Sequence, residues 1–277
     1  MSLPHQPQTA SQVIGRWSVW IGAVLVLFFL MVPILAIIPL SFSSGTFLTY
    51  PLPGFSFRWY EELLTSDKWI PALRNSMIVG VSSTVASTVI GTLAALGLNR
   101  ANFPLKSVVM GILLSPMIVP SIITAVGMYF FFAPLGLTNS FPGLIMAHTA
   151  LAAPFVVITV SATLQHFDIN MARAAASLGA TPVTAFFRVI LPLILPGVAS
   201  GGLFAFATSF DEVVVVLMIA GPDQRTLPRE MFSGIRENIN PTITAVATVL
   251  ILTSVVLLSC LEWLRRRNER LTTGKVT

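Results

Sequence analysis

Charge is what this chain has least of. Asp, Glu, Lys and Arg make up 10% of its 277 residues, against about 25% in ordinary soluble domains. So little polar surface excludes a water-exposed globule around one large core and points to lipid as the solvent. A mean hydropathy of +0.84 agrees. Cysteine is almost absent too. Cys260 stands alone, which excludes an internal disulfide framework, and its place near the end of an apolar run reads as an inert packed thiol. Histidine is scarce: His5, His148 and His166 are scattered without metal-ligand spacing. His148 lies inside an apolar run and reads either as a path-lining residue or as a hydrogen-bonded structural one. No G-x-x-x-x-G-K-[ST] phosphate loop is present, because the only Gly-Lys pair, Gly274-Lys275, is followed by Val276. Low-complexity tracts and short-period repeats are absent as well. The net charge of +5 is no nucleic-acid signature. Five of the 16 basic residues lie in the last 13 positions, beside an apolar run, as membrane-flanking charges do.

What is there is apolar length. Six runs fall near 17–42, 73–98, 108–133, 142–164, 193–220 and 242–264. Each meets the roughly 20 residues a helix needs to cross the hydrocarbon core. The expected fold is therefore all-α, with six transmembrane helices. The expected organisation is an N-terminal segment 1–16, a spanning domain 17–264 and a basic tail 265–277. The first run is about 25 residues long and follows a polar segment, unlike a signal peptide's short apolar region. With both termini in the cytoplasm, the inner segments hold ten basic residues and the outer segments six. The outer six are matched by Glu61, Glu62, Asp67, Asp223, Glu230 and Glu237, so the bias favours that orientation.

This topology puts residues 165–192 inside the cell, between the fourth and fifth runs. Asp168 is a helix N-cap, and good helix formers follow from Ile169 to Leu178. Gly179 fits the left-handed position that ends such a helix. Thr181 with Pro182 is a second N-cap with proline at the first helical position. The expectation is two short helices with a sharp turn between, the second running to about Ile190 before Pro192. Ala172, Ala175, Ala176 and Gly179 share one face of the first helix by their spacing. So small a face either packs on this chain's own spans or lets another surface come close.

Asp211 and Glu212 stand inside the run 193–220. A carboxylate in the hydrocarbon region costs about 2.5–3.5 kcal/mol on insertion scales, so it normally faces a pathway or a partner. The run has 28 residues, more than one crossing needs. A spanning helix to about Ser209, then a re-entrant or outer-leaflet piece carrying the pair, is the expectation. Functionally, Ser209, Asp211 and Glu212 read as part of a cation-attracting path or an outer gate. The alternative is a pair that caps a helix or bridges to a neighbouring subunit. Adjacent residues point in different directions, so one carboxylate is expected on the path and the other on a structural partner. Pro116 and Pro120 in the third run, and Pro196-Gly197 and Gly201-Gly202 in the fifth, read equally as kinks for an alternating channel or as ordinary membrane-helix residues. Gly201, Gly202 and Ala205 also offer a small face for close helix packing, as against a partner subunit. The "MYFFFAP" segment reads as lipid-facing or core rather than an amine cage.

The loop resembles the coupling loop of bacterial ABC importer permeases, whose pattern is E-A-A-x-x-x-G, nine residues, then I-x-L-P. Here it reads Arg173-Ala174-Ala175, Gly179, then Val189-Ile190-Leu191-Pro192, with the same spacing. Arg173 departs from the family's Glu, which puts any family ion pair at that position in doubt. The resemblance implies that Arg173, Ala174, Ala175, Ser177, Leu178, Gly179, Ala180, Thr181 and Pro182 form a coupling helix seated in a groove of an ATPase subunit. Further stretches are similar to the polyamine (spermidine/putrescine) importer permeases, in particular their second permease subunit. They are "GFSFRWYEELL", "ALGLNRANF", "LLSPMIVPSI", "SFDEVVV", "GPDQRTLPREMFSGIRENINP" and "ITAVATVL", and the match runs over about residues 15–264. The resemblance implies the type I importer permease fold in the bacterial inner membrane. It implies no enzyme activity and no cofactor on this chain, with ATP and Mg on a partner ATPase dimer. A second permease and an extracytoplasmic substrate-binding protein complete the expected assembly, with no nucleic acid. An importer permease for another organic solute, such as an amino acid derivative, is the alternative. A secondary transporter or channel would also show six spans and buried carboxylates, but would not need the coupling loop.

Overall fold

A computed structural model describes residues 10–100, 104–165, 167–237 and 240–273. His5, His166 and the Gly274-Lys275 pair lie outside the described residues, as does most of segment 1–16. The described chain is helical, with one isolated bridge between Ser43 and Phe55. In order the helices are α1 (Ala10–Leu40), α2 (Arg58–Thr65), α3 (Trp69–Arg100), α4 (Lys106–Ile118), α5 (Ser121–Phe132) and α6 (Phe141–Gln165). Then come α7 (Ile169–Ser177), α8 (Pro182–Ala185), a π turn (Phe186–Ile190), α9 (Leu191–Phe210), α10 (Val214–Ile219), α11 (Leu227–Glu237) and α12 (Thr242–Thr273). Helix is the only way such apolar segments satisfy their own backbone in lipid without closing a barrel.

Five helical stretches are long and apolar enough to cross a membrane: Gly15–Leu40, Trp69–Asn99, Phe141–Gln165, Pro182–Phe210 and Thr242–Ser259. The third apolar run departs from expectation. It is not one continuous helix but the pair α4 and α5, bent by 108° at their junction. At about 20 and 18 Å, neither half crosses the roughly 30 Å core alone. The break sits at Val119-Pro120, where Val119 is extended (ψ 133°). Proline's ring excludes the α conformation from the residue before it, which ends α4 there. Pro116 is accommodated inside α4. Counting the bent pair as one broken span gives six.

The fifth run departs as well. Pro192 does not separate a loop helix from a span, because α8, the π turn and α9 are continuous from Pro182 to Phe210. The π turn explains why. Leu191 N–H donates to Phe186 O, five residues back, and this wider turn takes up the proline that lacks an N–H. The sixth run continues as α12 into the basic tail, to Thr273. Cys260 lies on that helix; its side chain is outside the described set.

The described chain divides into two compact units. The first comprises residues 1–63 with 238–250. In it α1 is exposed over most of residues 15–35, part-buried over 36–40, and without a buried residue in its apolar window. The second comprises 64–237 with 251–277. At its centre is α6, apolar all round and buried on most faces, as a helix enclosed by others must be. Val156 of α6 lies between Gly91 of α3 and Gly201 of α9. A Cβ on Gly91 would stand 2.7 Å from the Val156 Cβ, and one on Gly201 would stand 2.9 Å from the Val156 Cα. Gly197 comes equally close to Thr163. Small residues one turn apart let backbones approach where lipid supplies no hydrophobic drive between helices. The small face at Gly201 and Ala205 is thus occupied by this chain's own α6, while Gly202 faces Thr88 of α3.

Candidate functional site

Two places in the second unit gather the candidate residues. The first is the loop between α6 and α9. Asp168 caps α7, its Oδ1 accepting from Asn170 N–H at 2.9 Å. The helix closes in a Schellman arrangement. Ala180 N–H donates to Ala175 O at 3.0 Å, and Gly179 N–H donates to Ala176 O at 2.9 Å. Gly179 holds φ +84°, a conformation that costs other L-residues about 1–2 kcal/mol. Thr181 caps the next helix by accepting from Thr184 N–H at 3.3 Å, and Pro182 opens it. Local hydrogen bonds thus start α7, close it at Gly179 and start α8.

The two readings of the small-residue face divide it between them. Ala172 and Ala175 are half-buried, and Ala172 packs against the cluster of Ile190, Leu164 and Val160. Ala176 and Gly179 are exposed. So are Arg173, Ala174 and Ser177, and Leu178 is 89% exposed. Val183 and Phe187 extend this apolar surface. Arg173 Nη1 reaches only Asn170 Oδ1, at 3.5 Å. A cavity of about 300 Å3 lies under α7, lined by Leu96, Asn99, Leu164, Phe167, Ile169 and Ile190.

The second place is the break between α9 and α10. The helix ends at Phe210, one residue past Ser209, and the short helix α10 follows after a three-residue break. Asp211 N–H still donates to Ala207 O at 3.1 Å. Its side chain is exposed and makes no ion pair or hydrogen bond among the described residues. It lies just beyond the span, and burial of part of its carboxyl raises its pKa above the usual carboxylate value. Glu212 is half-buried, and its Oε1 accepts from Val215 N–H at 2.9 Å, capping α10. The adjacent carboxylates thus differ in role: one fixes a helix start and the other is open.

Ser209 is not open. It is 5% exposed and sits behind the pair, inside the bundle. Ser83 of α3 donates to Ser209 Oγ at 2.8 Å, and Ser209 Oγ is 2.8 Å from Nδ1 of His148 on α6. His148 is 1% exposed, and its Nε2 is buried without a partner. This polar chain pins the last turn of α9 to α3 and α6. Sequence reasoning missed Ser83, since nothing local marks a hydroxyl whose partner is 126 residues away. It also missed Asn75, whose Nδ2 donates to the Asp223 and Arg225 carbonyls at 2.8 and 3.0 Å. A cavity of about 320 Å3 opens there, lined by Asp67, Lys68, Asp223, Arg225 and Glu230 among others. Among the described residues no group of three or more His, Cys, Asp or Glu is placed to hold a metal ion.

Known proteins are similar to this chain. The "Spermidine/putrescine transport system permease protein PotC" of Escherichia coli (strain K12) is 35% identical over 248 residues, 90% of this chain and 94% of its own length. The "Putrescine transport system permease protein PotI" of the same strain is 34% identical over 242 residues, 85% of either chain. Among crystal structures, a bacterial ABC transporter for import of the acidic polysaccharide alginate has a chain that superposes with a TM-score of 0.69. The superposition covers 94% of this chain and 99% of that one at 16% identity, a likeness of fold. Residues 87–273, which hold both candidate places, match the model of the "Binding-protein-dependent transport system inner membrane component" family, and the chain belongs to that family.

Proposed function

We propose that this chain is the second permease subunit of an ATP-driven, binding-protein-dependent importer of polyamines or related small organic amines. The observation that carries the reading is 35% identity over 90% of the chain to a spermidine/putrescine permease. The geometry supports the division of labour. The surface of α7 and α8, with Leu178 and Val183 exposed and Gly179 turning the chain between the helices, suits a groove on a cytoplasmic ATPase dimer. Asp211, open at the end of α9, suits an ammonium group on the outer path or gate, with Glu212 setting the backbone there. ATP and Mg belong to the ATPase chain; no phosphate loop occurs in this sequence. Both termini lie in the cytoplasm, as the ten-to-six distribution of basic residues favours. A second permease and an extracytoplasmic binding protein complete the assembly. One of the solved alginate transporters is in complex with a ligand-bound periplasmic protein.

The test is reconstitution of the assembled transporter in proteoliposomes with its binding protein. ATP-dependent uptake of radiolabelled spermidine or putrescine is the expected result. Stimulation of ATP hydrolysis by a binding protein loaded with a different solute, and none by amines, would overturn the amine assignment while keeping the importer.

A further inference from the structure

The segment between α1 and α2 has a property that transport alone does not use. From Trp17 to Phe57 no residue is charged. The apolar stretch of α1 ends at Leu40, yet the loop that follows does not turn polar. Phe47, Tyr50, Phe55 and Phe57 are 74%, 56%, 81% and 68% exposed. Such rings are costly to hold in water, at about 25 cal/mol per Å² of apolar surface.

The loop is nevertheless built, not loose. Ser43 pairs with Phe55, Ser44 N–H donates to Gly54 O at 3.0 Å, and Ser56 N–H donates to Phe42 O at 2.8 Å. Trp59 Nε1 donates to Ser43 O at 2.7 Å and ties the base of the loop to α2. The loop also folds back along the span. Tyr50 Oη donates to Ala36 O at 2.6 Å, four residues before the helix end.

Depth follows from arithmetic. The 26 residues Gly15–Leu40 rise about 39 Å, some 9 Å more than the hydrocarbon thickness. If the excess is shared, Ala36, about 6 Å from the helix end, stands at the boundary between acyl chains and headgroups. Tyr50 is held at that boundary by its bond to Ala36. Aromatic rings with one polar end gather at this level in membrane proteins.

We propose that residues 42–57 are a membrane-interface anchor, whose exposed phenyl rings and Tyr50 rest in the headgroup–acyl boundary of the bilayer. The lipid surface is the partner because the loop continues the uncharged surface of α1 and bends back toward its buried depth. Its base is closed by the Ser44–Gly54 and Ser56–Phe42 backbone bonds, and its tip, from residue 46 to 53, lies at the headgroup level, where water reaches backbone groups. The anchor fixes the depth of the first span against the membrane, whichever solute the transporter carries.

The experiment uses the assembled transporter in vesicles of phosphatidylethanolamine and phosphatidylglycerol. Spin labels are placed by Phe47→Cys and Phe55→Cys in a Cys260→Ser background, with Asp67→Cys as the water-exposed control. Both phenylalanines are exposed, so neither change removes packing within the chain. Collision rates are read with oxygen, which concentrates in lipid, and with a water-soluble nickel chelate. The expected result is oxygen exceeding the chelate several-fold at 47 and 55, with the reverse at 67. Free access of the chelate at 47 and 55 would overturn the proposal by placing the loop in water. Low access to both quenchers would overturn it by placing the loop beneath another protein subunit.

Discussion

At the scale of single residues, the Asp211-Glu212 pair shows how one sequence feature divides into two roles. Glu212 Oε1 caps α10 through Val215 N–H, while the Asp211 side chain remains open. Glu212→Gln keeps an acceptor oxygen and is expected to leave uptake near normal; Glu212→Ala loses a cap worth about 1 kcal/mol. Asp211→Asn deletes the open charge at constant size. If an ammonium group meets it in a partly desolvated path, the contact is worth roughly 1.5–3 kcal/mol, or about one to two decades in apparent affinity. The measurement is uptake of radiolabelled amine, normalised to intact complex. Equal uptake by Asp211→Asn and the parent removes Asp211 from the path. Acidity provides a second reading. The Asp211 pKa is raised by burial, so its charge is lost on acidification sooner than an ordinary aspartate's. Uptake is expected to fall on that acid limb in the parent, and Asp211→Asn to flatten it. The pair was legible in the sequence because two carboxylates in an apolar run stand out. The burial of Ser209 was not, because its partners Ser83 and His148 lie on other helices.

At the scale of elements, the loop after α6 was legible almost bond by bond. Asp168, Gly179, Thr181 and Pro182 are local signals, and each sits where its chemistry requires. The continuity of α8 with α9 was hidden because proline ordinarily marks an end, and the π turn that absorbs Pro192 has no sequence signature of its own. The break at Pro120 was legible as a kink, but its size was not. An all-round apolar run gives length but no direction, and the 108° turn depends on what α4 and α5 pack against. The element-level prediction concerns Gly179 at φ +84°. Open space surrounds it, so Gly179→Val causes no clash and acts through the backbone alone, at about 1–2 kcal/mol for the left-handed conformation. The turn between α7 and α8 is then expected to shift, and ATP hydrolysis stimulated by loaded binding protein to fall while the chain still inserts. Gly179→Asn, whose residue tolerates that conformation better, is expected to restore much of the stimulation. Unchanged stimulation in Gly179→Val would separate the turn from coupling. Arg173→Glu is expected to be tolerated, since Arg173 makes only a 3.5 Å contact to Asn170 within the chain.

At the scale of the whole second unit, α3, α6 and α9 are held close by absent side chains rather than by large ones. The buried core around α6 is made of Ala95, Ala152, Val156, Val160, Ile194 and Ala205, with glycines where the helices come nearest. That Gly201 and Ala205 form a small face was legible from spacing; which helix meets the face was not, because spacing gives a surface and not its occupant. The packing makes a graded prediction. A Cβ at Gly201 would meet Thr159 Oγ1 and stand 2.9 Å from the Val156 Cα, which is backbone and cannot rotate away. Gly201→Val must therefore push α9 from α6, at about 1–3 kcal/mol or more. Gly202 has only Thr88 Oγ1 nearby, at 3.1 Å, so Gly202→Ala needs a small rotation of one hydroxyl. Gly97 on α3 has nothing within 4 Å, and Gly97→Ala is expected to be neutral or slightly stabilising through helix propensity. The thermal midpoint of the purified complex in mild detergent orders the three: Gly201→Val lowest, Gly202→Ala near the parent, Gly97→Ala at or above it. Because the Ser83–Ser209–His148 chain joins the same three helices, displacing α9 also moves the start of the Asp211 break. Gly201→Val complexes that survive are thus expected to lose amine uptake as well as stability, whereas Gly202→Ala keeps both. A Gly201→Val complex as stable as the parent would mean that α6 and α9 are not in contact at this point.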